Sequence, residues 1–218
     1  MAQYGVGGVK RNLPEPVVIL ADGNPPTHPA PLSTLQTANT LICTDGAGEK
    51  AKMLDRHPDF IIGDMDSHNK ASLSHGTDII ELTDQNSTDL EKALDFCIQE
   101  GVVSATLLGL SGGREDHMLA NFAILSGVSK KMKLSAVTDY HTVHPVSDKE
   151  DFSCISNSTV SLLTAHGQPT VTTTGLRFPL QDQCLLSSGH GVSNFAETDK
   201  FSVKVAGGIV LVFIRHGD

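Results

Sequence analysis

Phe60-Ile61-Ile62-Gly63-Asp64-Met65-Asp66-Ser67 is the stretch on which the fold turns. Three apolar residues run together and stop abruptly at Gly63 and Asp64. A strand with one wet face would alternate apolar and polar residues. A short unbroken apolar run instead marks a strand buried on both faces. The same figure recurs on either side. Val17-Val18-Ile19-Leu20-Ala21 ends at Asp22-Gly23, Leu41-Ile42-Cys43-Thr44 at Asp45-Gly46, and Ile79-Ile80-Glu81-Leu82-Thr83 at Asp84. Thr106-Leu107-Leu108-Gly109-Leu110 ends at Ser111-Gly112-Gly113, and Leu134-Ser135-Ala136-Val137-Thr138 at Asp139.

Helical patterns separate these runs. Leu90, Ala93, Leu94, Cys97 and Ile98 form an amphipathic stripe stopped by Gly101. Met118, Leu119, Phe122 and Leu125 mark a second helix stopped by Gly127, and Ala47 to Arg56 a third, ended before Pro58. Buried strands alternating with helices predict a mostly parallel, Rossmann-like α/β sheet over residues 14–142. From about His141 the helical period disappears. Thr159 to Leu163, Thr170 to Thr174, Phe201 to Val205 and Ile209 to Phe213 are rich in β-branched residues, with Gly, Pro, Asn and Asp between them. They predict an all-β sandwich or barrel over residues 150–216, the boundary falling in Pro145 to Asp151.

Composition narrows the class. Apolar residues make up 39% of the 218 residues and charged residues 19%, which suits packed cores and excludes a disordered chain. No apolar run reaches the ~20 residues of a membrane span, and Met1 to Pro16 lacks the pattern of a secretory signal. Cys43, Cys97, Cys154 and Cys184 form no C-x-x-C pair, and the ten histidines have no zinc-site spacing. A cytoplasmic protein without structural zinc is expected. The formal net charge of -9 argues against a nucleic-acid partner.

That acidity has a candidate purpose. In an open α/β sheet, ligands bind beyond the carboxyl ends of the strands. Asp22, Asp45, Asp64, Asp66, Asp84 and Asp139 line that edge with the Gly112-Gly113 turn. Turn and cap preference alone accounts for an isolated Asp22 or Asp139. Several acids on one edge are different, because two unit charges 4 Å apart repel by about 4 kcal/mol at an effective dielectric near 20. A compensating cation is implied. Asp64 and Asp66, at i and i+2 of extended backbone, point the same way and could share it. Mg²⁺ prefers such hard oxygens together with water and phosphate. Thr88-Asp89-Leu90-Glu91 fits a capping box, which is compatible with Asp89 facing a metal. Gly112-Gly113-Arg114 follows a strand and opens a helix, so its backbone N–H groups and guanidinium suit phosphate; it is not a Walker A loop.

Taken together, Thr44-Asp45-Gly46-Ala47, Gly63-Asp64-Met65-Asp66-Ser67, Asp84-Gln85-Asn86-Ser87-Thr88-Asp89 and Gly112-Gly113-Arg114-Glu115-Asp116-His117 resemble the thiamin pyrophosphokinase family. Thr173-Thr174-Gly175-Leu176-Arg177-Phe178-Pro179-Leu180 and Gly191-Val192-Ser193-Asn194 extend the resemblance into the second half. Phe178 stands where several members carry Trp, and this chain has no Trp.

The resemblance implies an α/β nucleotide domain followed by a β-sandwich thiamin domain, in a homodimer with active sites between subunits. It implies the reaction ATP + thiamin → thiamin diphosphate + AMP, with Mg²⁺. Asp64 and Asp66 would hold the metal, with Asp45 and Asp89 as further ligands and Asp89 also orienting the hydroxyl. Gln85, Thr88, Gly112, Gly113, Arg114, Asp116 and His117 would join Asp45 around ATP, and Arg114 would stabilise phosphate charge. Phe178, Ser193 and Asn194 would hold thiamin. The alternatives are a pyrophosphokinase for another acceptor such as a hydroxymethylpterin, a D-x-D glycosyltransferase, or a non-catalytic thiamin-binding protein. The β-rich half with Ser193-Asn194 speaks against the first two, and the acidic set against the last, since cationic thiamin needs no Mg²⁺ site.

Overall fold

The computed structural model describes residues 11–65, 76–185 and 189–217. Asp66 and Ser67 therefore lie outside the described residues. The predicted strands all form, but the one holding Ile79 is the exposed edge of the sheet, with Ile79 itself 39% exposed, so its apolar run does not mark burial on both faces. The strands are β1 (Val17–Leu20), β2 (Thr40–Thr44), β3 (Phe60–Gly63), β4 (Asp78–Glu81), β5 (Ser104–Leu108) and β6 (Lys133–Val137). They pair in parallel in the order β6-β5-β1-β2-β3-β4. Strand order reverses between β1 and β5, and the crevice at such a switch point is where doubly wound sheets take ligands.

Among the described residues, four helices cover the two faces. α3 (Asp89–Glu100) has a complete capping box between Thr88 and Glu91 and ends at Gly101, whose φ of 88° suits glycine. Its apolar stripe and α4 (Glu115–Val128) close one core with Ile19, Ile42, Ile62 and Leu107. Leu119 of the α4 pattern is 67% exposed, because it lies off the face that carries Phe122 and Leu125. On the other sheet face α2 (Ala47–Met53) packs with Leu20, Leu41 and Ile61, ending short of the expected Arg56 with Asp55 at φ 55°. α1 (Pro29–Gln36) was not anticipated. Its prolines mask it in the sequence, but Pro29 and Pro31 occupy the first turn, where no N–H is needed, and the ring of His28 caps it by accepting from Ala30 N.

The second half contains β7 (His141–Val146), β8 (Lys149–Ser153), β9 (Thr159–Thr174), β10 (Gln183–Cys184), β11 (Asn194–Phe195) and β12 (Lys200–Arg215), all antiparallel. Four expected strands merge into two of 16 residues. The intervening glycines bend the chain instead of ending it. Gly167 and Gly207 both have φ near 76°, and the β9–β12 register shifts beside Gly208, so each strand turns at a bulge and continues into the next layer. A separate core of Val160, Leu162, Val171, Phe201, Val203 and Val212 fills the sandwich. Hydrogen bonding does not break between the halves. β7 pairs with β6 on one side and β12 on the other, and Val143 and Leu211 enter the α/β core.

Candidate functional site

The loops after β1 and β5 run side by side at the switch point. Gly23 N donates to Gly109 O at 2.8 Å, and Asn24 N to Ser111 O at 2.8 Å. Gly112, at φ 86°, packs on the Asn24 side chain. Next to this crevice the strand-end acids divide by role. Asp45, Asp64 and Asp89 each present an oxygen, and the three oxygens lie within 4.8 Å of one another. Gly63 makes the convergence possible, since a Cβ there would meet Asp45 Cβ at 2.6 Å and Asp89 Oδ2 at 3.1 Å.

Among the described residues, the other edge acids have local duties. Asp22 pairs with Lys50, which also donates to the carbonyls of Asp22 and Gly23. Asp84 folds its own loop, accepting from Asn86 N, Asn86 Nδ2 and Ser87 Oγ. Asp139 accepts from Thr27 N, Thr27 Oγ1 and His28 N, tying the 27–28 loop to the end of β6. Turn chemistry thus accounts for Asp84 and Asp139.

Asp45 is only 1% exposed. Burial pushes the Asp89 carboxyl above the usual carboxylate range, and the charges of Asp64 and Asp45 add to that push. Lys92 opposes it, donating to Asp89 Oδ1 at 2.8 Å from a position 4% exposed. Thr44 Oγ1, on the residue before Asp45, is buried without a hydrogen-bond partner among the described residues. Three convergent carboxylates, one of them buried, fit a hard divalent cation.

The triad opens into a cleft of about 560 Å³. Gln85, Thr88, Gly112, Gly113, Arg114 and His117 line it as expected, and Gln85 Nε2 donates to Asp64 Oδ2 at 3.4 Å. Arg114 is held by Asp116 through contacts of 3.1 and 2.6 Å, an exposed pair in which Asp116 lies below the usual carboxylate range. Asp116 also accepts from His117 N, and it orients Arg114 from outside the cleft lining. Residues missed in the sequence are Asn24, Lys50, Asn121 and Lys92. Lys92 had a usable signal, being one helical turn beyond Asp89 and beside the apolar Ala93 and Leu94.

Phe178, Ser193 and Asn194 do not line this cleft. They stand beside β9, six strand positions from β2 along the sheet. Phe178 is 61% exposed on the loop following β9. Asn194, 8% exposed, fixes that loop: its Oδ1 accepts from Phe178 N at 3.0 Å and Phe195 N at 2.8 Å, and its Nδ2 donates to Phe178 O at 2.7 Å. Ser193 has φ 61° and its N–H donates to Ser161 Oγ.

An α/β sheet with a switch point, a sandwich joined in series and a carboxylate triad at the strand ends define a two-part protein built around an acidic, phosphate-sized cleft. The family model described as thiamin pyrophosphokinase, catalytic domain, matches residues 32–137, and that described as thiamin pyrophosphokinase, vitamin B1 binding domain, matches residues 141–210. The chain belongs to the thiamin pyrophosphokinase family. Thiamin pyrophosphokinase 1 of Caenorhabditis elegans is 31% identical over 97 residues, a stretch spanning 40% of this chain and 40% of that protein. The crystal structure of thiamine pyrophosphokinase from Bacillus subtilis superposes with a TM-score of 0.78 at 20% identity, covering 93% of this chain and 99% of that one. Thiamin pyrophosphokinase from Candida albicans gives 0.76 at 18% identity, covering 91% and 88%. At these identities the two structures establish the fold.

Proposed function

We propose that the chain transfers the pyrophosphoryl group of ATP to the hydroxyl of thiamin, giving thiamin diphosphate and AMP. The observation that carries this reading is the convergence of Asp45, Asp64 and Asp89 beside the Gly112-Gly113-Arg114 turn. The three carboxylates would hold Mg²⁺, which when bound neutralises phosphate charge. Phosphoryl-type transfers are loose, so the protein contributes mainly position and charge. The backbone N–H groups of the glycine turn and the Arg114 guanidinium, released from Asp116, would hold the phosphates. Phe178, on a loop fixed by Asn194, would pack on thiamin, and Ser193 would border it. The hydroxyl oxygen then attacks the β-phosphorus. The bond from that phosphorus to the oxygen bridging the α-phosphorus breaks, AMP leaves with the electron pair, and the hydroxyl proton passes to solvent.

A homodimer with sites between subunits is part of the proposal. It would bring one protomer's Phe178 loop to its partner's triad, which the same chain holds apart. Among the described residues no helix is long and apolar enough to cross a membrane, and all four cysteines are free. Free thiols agree with a cytoplasmic location. Incubation with ATP, Mg²⁺ and thiamin should yield equimolar AMP and thiamin diphosphate, and Asp64→Asn should slow this by more than about a hundredfold, ~2.7 kcal/mol, while remaining folded. Release of ADP, or normal turnover by Asp64→Asn, would sink the reading.

A further inference from the structure

Lys92 is a lysine in an unusual place. It is 4% exposed, it follows Asp89 by one helical turn, and its Nζ donates to Asp89 Oδ1 at 2.8 Å. The other oxygen of that carboxylate, Oδ2, is turned to Gly63, where a Cβ would meet it at 3.1 Å and Asp45 Cβ at 2.6 Å. The two oxygens of Asp89 therefore have different neighbours: Oδ1 takes the ammonium, and Oδ2 lies toward Gly63, the residue against which Asp45 also packs. Burying an ammonium is costly even when it is paired, and a methionine or leucine would fill the same helix position more cheaply. That cost calls for a return.

Resting on the reading of the triad as a cation site, we propose that Lys92 is a specificity-determining residue for the ion. By engaging Oδ1 it limits Asp89 to one ligand oxygen and so favours Mg²⁺ over Ca²⁺. The two ions differ in what they ask of a carboxylate. Mg²⁺ takes a near-octahedral set at ~2.0–2.1 Å and keeps several waters, whereas Ca²⁺ takes about 6–8 oxygens at ~2.3–2.6 Å and readily accepts a bidentate carboxylate. An ion chelated by both Asp89 oxygens would have to share Oδ1 with the Lys92 ammonium. Two positive charges would then stand within a few ångströms of each other in a pocket where burial weakens screening. A single-oxygen contact through Oδ2 avoids this. The small ion loses little by it, and the larger ion loses a ligand.

The test is calorimetric titration of MgCl₂ and of CaCl₂ into the nucleotide-free, full-length protein, for the parent chain and for Lys92→Met, Lys92→Gln and Lys92→Arg. Lys92→Met should shift the ratio of the two dissociation constants toward Ca²⁺ by at least about fivefold, through a gained carboxylate oxygen. Lys92→Arg should keep the parent ratio. Terbium luminescence lifetimes in H₂O and D₂O should show one fewer bound water in Lys92→Met, displaced by the freed Oδ1. Should the methionine variant fail to fold, Lys92→Gln carries the comparison, with a shift in the same direction. A residue that merely packs and pairs would change the melting temperature and leave the ratio alone. Both ions binding with a ratio unchanged within twofold would overturn the role of Lys92 and leave the cation site standing. Absence of binding heat for either ion in every protein would overturn both.

Discussion

Asn194 spends its side-chain hydrogen bonds on the protein itself. Its amide closes on the backbone of Phe178 from both sides and also caps Phe195 N. The sequence pointed to Ser193-Asn194 as direct partners of thiamin; in the structure Asn194 holds the loop that presents the Phe178 ring. Asn194→Ala would leave two N–H groups and one carbonyl without their partner in a residue 8% exposed. A loss of about 1–3 kcal/mol in unfolding free energy is expected, accompanied by weaker thiamin binding. Urea melts and thiamin titrations on the same preparation check both. Full stability with reduced affinity would mean a direct contact instead. The acidic residues show the opposite balance. Turn preference could not say which aspartates were structural, because the sequence shows where each strand ends but not which neighbours its loop meets. Gly63 carries the missing information, and one glycine among twenty gives no warning of it.

At the level of elements, the inner parallel strands were legible because burial on both faces leaves unbroken apolar runs. α1 was hidden by its own prolines, and the long strands of the sandwich were read as pairs because glycine marks turns and bulges alike. The two bulge glycines should differ in cost. Gly207 needs only its φ of 76°, the nearest atom to an added Cβ being Gln168 O at 3.4 Å. Gly167 has the same φ and would also drive a Cβ to 2.6 Å from Gly207 O. Gly207→Ala should cost about 1–2 kcal/mol and Gly167→Ala distinctly more, and guanidinium melts would show the ranking; equal costs would refute the bulge geometry. The strands and loops around β7 also set a pH dependence. Burial, the first cause in each case, holds His141, His144 and His216 below their ordinary value of 6.5, helped by His216 and Arg215 at His141, by Lys133 at His144, and by His28 at His216. Asp139 and the carbonyls of Thr138 and His141 act the other way on His216. A depressed value means that the unfolded chain binds more protons, so this stability is complete above 6.5 and drains as pH falls below it. Urea midpoints should fall between pH 7.5 and 5.5, and His144→Gln should flatten the fall. An unchanged slope in that variant would remove His144 from the account.

For the whole molecule, the separation of the Phe178 loop from the triad makes assembly testable by complementation. Asp64→Asn and Phe178→Ala chains, each poorly active alone, should regain up to about a quarter of normal turnover when mixed and allowed to exchange subunits, since half the dimers would carry one intact site of two. No regain, or a fully active monomer by light scattering, would place the site within one chain. The division into an α/β half and a β half was readable from the change of period near His141. The joining of their cores through Val143 and Leu211 was not, because periodicity reports which face is buried and never against what. β12 adds a consequence for biosynthesis. It is the centre strand of the second half, pairing with β7, β8 and β9, yet it follows all of them in the chain. While the ribosome is still making residues 154–199, β7 and β9 have no strand to lie between them, and their edges are open to any nascent neighbour. The first core waits as well, lacking Leu211 until the same strand emerges. Translation speed across that interval, and the holdase capacity of the cell, therefore bear on the yield of this protein.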